Sequence, residues 1–178
     1  MRTDRLQRDY GVELRWSVFP LHPEIPEQGM ELAELFAGRE EQIKSMQARL
    51  LHLAAEERLP LTERSRTSNS RRAQELGKWA EEQGQGTPYR IAVYRAHFVE
   101  GRNIALVNEL VRIAEAVGLP GKKAREVLST KSFAGTVDAD WRRAGELGIT
   151  AVPTHLCGPR KLVGFSPYED FVRLIGRG

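Results

Sequence analysis

Cysteine is almost absent: Cys157 stands alone among 178 residues. That scarcity excludes an internal disulfide, a cysteine-based zinc cluster and a Cys-x-x-Cys pair within this sequence. No apolar run approaches the roughly 18 residues a membrane helix needs. Charge of one sign barely exceeds the other, 27 Lys and Arg against 24 Asp and Glu, a net of +3 that does not argue for a nucleic-acid partner. The sequence has no Gly-x-Gly-x-x-Gly loop to cradle phosphate, and its four histidines have no metal-ligand spacing. The first residues, MRTDRLQRDYGVELRW, are charged and lack the apolar core of a signal peptide. With one free thiol suited to a reducing compartment, the expectation is a soluble cytoplasmic protein.

What is present is ordinary for a folded domain: 40% hydrophobic and 29% charged residues. Arg2 to Tyr10 reads as a helix stopped by Gly11. Val12, Leu14, Trp16 and Val18 alternate with polar residues, which predicts a strand over Val12 to Leu21. Pro20, Pro23, Pro26 and Gly29 end it in an irregular loop. The middle reads as helical. Ile43, Met46, Leu50, Leu53 and Ala54 predict one buried face between Glu40 and Glu57. Further helices are expected over Ser70 to Gln83 with Asn69 as cap, from Thr87-Pro88 through Phe98, and over Ala105 to Val117. Two shorter ones follow, Pro120 to Ser129 and Val137 to Leu147. The period then changes. Thr150 to Leu156 and Lys161 to Phe165 predict two strands around the turn Cys157-Gly158-Pro159-Arg160, and Ser166-Pro167 opens a closing helix. No linker separates independent domains, so the helical block is read as an insertion into one sheet.

The most informative stretch is Gly148-Ile149-Thr150-Ala151-Val152-Pro153-Thr154. A proline entering a strand either begins an edge or follows a cis bond, and a cis bond turns the backbone outward toward an extended ligand. Here the residues resemble the DsbA-like branch of the thioredoxin superfamily, in particular FrnE-like dithiol oxidoreductases. The likeness runs along nearly the whole chain. It is carried by Trp16-x-x-Phe19-x-Leu21-x-Pro23 with Gly29, Leu35-Phe36, Asn69-Ser70 with Ala73, Ala96-x-Phe98 with Asn103-Ile104, and Ala144 through Gly148-Ile149 to Val152-Pro153-Thr154.

That resemblance implies an α/β, thioredoxin-like fold with a helical insertion, residues 1–30 and 148–178 forming the thioredoxin-like part and 31–147 the insertion. It implies a cis Val152-Pro153 bond, with Val152, Pro153, Thr154 and His155 meeting a cysteine-containing protein or peptide, or glutathione. It implies no cofactor, metal, membrane or nucleic acid. The family's first strand and its Cys-x-x-Cys at the start of the first helix have no counterpart in this sequence, so no catalytic residue is assigned. The expectation is a start upstream of Met1 that supplies both, or a homodimer that fills the slot by strand exchange.

Two other readings stand beside it. One is the glutathione-dependent 2-hydroxychromene-2-carboxylate type of isomerase. The other is a non-catalytic thioredoxin-fold protein that binds peptides by strand pairing. The Val163-Gly164-Phe165-Ser166 ending departs from the Gly-Ala-Gln common in FrnE-like proteins.

The remaining candidates have plainer expectations. Cys157 reads as an incidental thiol. His155 shares a strand face with Pro153 and Cys157 and reads as a packed, hydrogen-bonded histidine, with proton transfer as the alternative. His22 lies in a loop, and His97 on a helix. Arg64, Arg66, Arg71 and Arg72 form the most basic stretch, read as a solvated loop and helix start rather than an anion site. Trp79, Trp141 and Tyr94 occupy helical positions and are expected to pack.

Overall fold

Nine helical segments and four short strands follow one another in the computed structural model, which describes residues 2–177. They are α1 (Arg2–Tyr10), β1 (Met30–Glu31), α2 (Leu32–Leu35), α3 (Glu40–Glu56), β2 (Arg66–Thr67), α4 (Arg71–Glu82), α5 (Gly86–Phe98), α6 (Val107–Ala116), α7 (Gly121–Thr130), α8 (Ala134–Glu146), β3 (Thr154–Cys157), β4 (Arg160–Val163) and α9 (Tyr168–Leu174). The chain divides into two compact units, one of residues 2–21 and 138–177, the other of residues 22–137.

The 22–137 unit owes its core to four amphipathic helices. Leu76, Trp79 and Ala80 of α4, Tyr89 and Ala96 of α5, Leu110, Val111, Ile113 and Ala114 of α6, and Ala124, Val127 and Leu128 of α7 form one buried cluster. Their three- and four-residue spacing places each set on one helical face. Two asparagines then tie a proline-rich loop to this bundle. The Asn69 side chain accepts the Arg71 N–H at 2.8 Å and donates to the Pro23 and Ile25 carbonyls at 3.0 and 2.7 Å. Asn103 does the same one helix pair later, accepting the Ala105 N–H at 2.9 Å and donating to the Glu27 carbonyl at 2.8 Å. Gly29, at φ +80°, lies so close to the Thr67 carbonyl that a Cβ would meet it at 2.7 Å. Glycine is therefore required where β1 and β2 pair.

The expected buried face of α3 is not buried. No residue of this helix is buried, and Met46 and Leu50 are 47% and 49% exposed. The apolar stripe exists, but periodicity reports which residues share a face and not whether another element covers it. Met46→Lys together with Leu50→Lys is accordingly expected to shift stability by no more than about 0.5 kcal/mol in urea denaturation, as for surface substitutions generally.

In the other unit, α1 and α9 pack together, and Leu6 of α1 and Phe171 and Leu174 of α9 are buried. Arg5 lies 3.9 Å over the Tyr168 ring, and the Tyr168 hydroxyl donates to Asp9 at 2.6 Å. That bond holds the Asp9 carboxyl below its ordinary pKa. Strands β3 and β4 form an antiparallel hairpin, Thr154 opposite Val163 and Cys157 opposite Arg160. The predicted strand over Val12 to Leu21 is a correction. Residues 11–20 form no ladder, although Val12 and Leu14 keep partial burial against exposed Glu13 and Arg15. Alternation survives, but a strand needs a hydrogen-bonded neighbour, and none is among the described residues. The buried Asp140 carboxylate instead accepts the Val18 N–H at 2.9 Å.

Candidate functional site

The hairpin carries the residues singled out by sequence. Val152-Pro153 is a cis peptide bond, and Val152 is 46% exposed. Just before the strand, the Thr154 hydroxyl donates to the Ala151 carbonyl at 2.7 Å and closes a turn. The Gly164 N–H donates to the Pro153 carbonyl at 2.8 Å, fixing the ladder's phase. With that bond in place, Thr154 and Val163 are a non-hydrogen-bonded pair, so His155 and Cys157 direct their backbone groups toward β4. Thr154 and Leu156 direct theirs away from it. The β3–β4 sheet has two strands, so this edge has no ladder partner among the described residues.

The His155 side chain goes to the helix beneath the hairpin. Its ring meets Phe171 edge-on, centroids 4.7 Å apart, and its buried Nδ1 has no hydrogen-bond partner. The histidine is packed as expected but is not hydrogen-bonded at that nitrogen, and desolvation holds its pKa below the ordinary value. Cys157 is partly buried at the far end of β3. Lys161, across the turn from Cys157, donates to the Leu147 and Gly148 carbonyls at 2.9 and 3.3 Å, where α8 ends. This cation is engaged by a helix C-terminus.

The basic stretch is largely neutralised. Arg64 donates to His97 Nε2 at 2.6 Å and lies 4.6 Å over the Phe98 ring. Arg66 pairs with Glu31 across β1 and β2, Arg71 with Glu75 at 2.6 Å, and Arg72 with Glu27 at 2.9 Å. His22 joins Glu24 at 3.1 Å and packs on Phe36. Among the described residues, no group of His, Cys, Asp and Glu could hold a metal ion. No helix there is long and apolar enough to cross a membrane.

Sequence reasoning did not find the paired asparagine clamps. Each follows one signal, an asparagine two residues before an amide it accepts. It also did not find that Thr154 and Leu156 share an open edge, because that phase depends on the Gly164 bond.

Comparison with known proteins gives consistent results. The family model described as a DSBA-like thioredoxin domain matches residues 1–176. YwbO of Bacillus subtilis (strain 168) is 32% identical over 98 residues, 54% of this chain and 49% of that protein, so the match spans about half the relative's length. A probable DsbA oxidoreductase from Streptomyces coelicolor, SCO1869, superimposes with a TM-score of 0.88 at 25% identity, covering 99% of this chain and 81% of that one. A 2-hydroxychromene-2-carboxylate isomerase shares the fold at TM-score 0.72 and 21% identity, over 98% of this chain and 84% of that one.

Proposed function

Because the chain belongs to the DSBA-like thioredoxin domain family, we propose that its β3 edge docks an extended cysteine-containing peptide for thiol–disulfide exchange. The observation that carries the proposal is the unpaired backbone edge of Thr154 and Leu156, directly after exposed Val152 and the cis bond to Pro153. An extended peptide satisfies such groups by adding as a strand. Val152 contributes the first amide and carbonyl, Pro153 supplies no N–H to compete, and Thr154 continues the ladder. His155 acts from beneath, its ring holding the hairpin on Phe171. The substrate is a protein or peptide in the cytoplasm, with glutathione as its smallest version.

Exchange needs an attacking thiolate and a second thiol to release the mixed disulfide. Cys157 alone cannot provide both. The described chain therefore supplies recognition, and its expected effect on insulin reduction by dithiothreitol is no acceleration over the thiol alone.

The docking reading is tested by NMR titration with an extended peptide whose cysteine is replaced by serine. The expected result is movement of the Val152, Thr154 and Leu156 amide signals. N-methylating the peptide at one pairing amide should weaken binding roughly five- to tenfold, the size of one lost hydrogen bond. Shifts confined to other surfaces, or affinity indifferent to N-methylation, would overturn it. Glutathione moving the same signals assigns the smaller ligand to the same edge.

A further inference from the structure

The 22–137 unit holds an open cleft of about 870 Å³ that the hairpin reading does not use. Its walls are the first turn of α4, one face of α7 and the start of α8, with Ala105 and Val107 behind. Pockets of this size take small molecules. Buried Leu128 and Ala105 give part of the lining an apolar character.

The charges lining the cleft are unequally satisfied. Arg71 has Glu75, and Arg72 has Glu27 and the Ala105 carbonyl, so neither is free to hold a ligand charge. The cations on α7 differ. Arg125 gives one N–H to the neutral Asn108 side chain at 2.9 Å, which orients the guanidinium and leaves its other donors, and it has no carboxylate partner among the described residues. Lys131 follows α7 in the left-handed conformation, φ 53°, and its ammonium has no partner among the described residues. Helical spacing aligns Arg125, Leu128 and Ser129 along the face that lines the cleft, and Lys131 lines it from the turn that ends α7.

The start of α4 adds to the same field. The Ser70 hydroxyl accepts from Gln74 at 3.0 Å and caps nothing. Asn69 takes the Arg71 amide, so the Arg72 and Ala73 amides have no partner among the described residues. Unpaired amides of a helix's first turn favour an anion beside them.

We propose that this cleft binds a small dianion with an apolar portion, a phosphate monoester or a dicarboxylate. Arg125 and Lys131 hold the two charges, and the hydrocarbon part lies on Leu128 and Ala105. The two chemistries share what the site offers: two cations lacking counter-ions above an apolar floor.

Isothermal titration calorimetry of the full chain tests this with phenyl phosphate, succinate and the neutral control benzyl alcohol. At least one dianion should saturate, and benzyl alcohol should not. Arg125→Gln with Lys131→Gln should weaken affinity by roughly tenfold or more, the loss of two charge-assisted contacts. Lys131→Arg should largely retain it. Both positions are exposed, so the variants should keep the parent melting temperature. Raising salt from about 50 mM to about 500 mM should also weaken binding to the unaltered chain, which makes the test independent of any variant. Phenyl phosphate alone binding assigns a phosphate ester, and succinate alone a dicarboxylate. Failure of both to saturate at about 10 mM, an affinity indifferent to salt, or a double variant that binds as tightly as the parent would overturn the proposal.

Discussion

Tyr89→Ala is expected to destabilise the chain by about 4 kcal/mol, the middle of the range for removing a buried aromatic side chain. The residue is 2% exposed at the centre of the α4–α7 bundle, and its ring packs against Gly77 of α4. A cavity there lies among helices already packed on one another, so the site has little room to collapse. Its hydroxyl donates to the Ala73 carbonyl at 3.3 Å, and burial pushes the phenol pKa far above its ordinary value, so it remains a donor throughout the working pH range. Tyr89→Phe separates the two contributions. Losing that long hydrogen bond alone should cost about 1 kcal/mol. Urea denaturation of the three proteins at pH 7 gives both numbers. If the phenylalanine variant falls as far as the alanine variant, the hydroxyl rather than the packed ring is the main contributor.

Acid should destabilise the same unit through His97. The Arg64 guanidinium donates to His97 Nε2 at 2.6 Å, so that nitrogen must be an unprotonated acceptor. Burial first, and then the Arg64 charge, push the imidazole pKa down to about 4, against a smaller upward effect of the backbone hydrogen bond to Arg102. An unfolded histidine titrates near 6.5, so the unfolded chain takes up the proton first as pH falls. The stabilisation is thus complete above about 6.5, declines through the interval to 4, and totals about 3 kcal/mol, of which about 2 is lost by pH 5. His155, also lowered by desolvation, adds an effect of the same sign. His97→Gln isolates the larger one, because glutamine retains an acceptor for Arg64 and does not titrate. Denaturation from pH 8 to pH 5 should show a steeper loss for the parent than for the variant. Parallel profiles would mean that His97 binds its proton equally in both states.

Particular residues show how far the sequence could be read. The turn Cys157-Gly158-Pro159-Arg160 and the helix stops at Gly11, Gly118 and Gly148 were legible, because each depends on backbone geometry within a few residues. The Val152-Pro153 bond was legible only through resemblance, since the local residues taken alone favour a trans proline at the start of an edge strand. The Arg64 to Arg72 stretch looked like one basic run, yet its four cations have separate partners, three of them more than 30 residues distant in sequence. Arg71 and Glu75 are one helical turn apart, but the other three pairings are long-range and leave no local mark.

Local chemistry by itself therefore determined where the longer helices end, where the chain turns, and that a single thiol rules out an internal dithiol, while α8 starts at Ala134 rather than Val137 and α2 was not foreseen. These are consequences of dihedral preference, capping and residue count, each decided over one or two turns of chain. Tertiary structure alone decided that the α3 stripe is nowhere fully buried, that residues 11–20 form no ladder, which backbone groups of β3 are open, and that Arg125 and Lys131 keep unneutralised charge. Each of these depends on whether a second element, remote in sequence, stands within hydrogen-bond or van der Waals distance. Periodicity describes the face a segment offers. Only the folded arrangement determines what meets it.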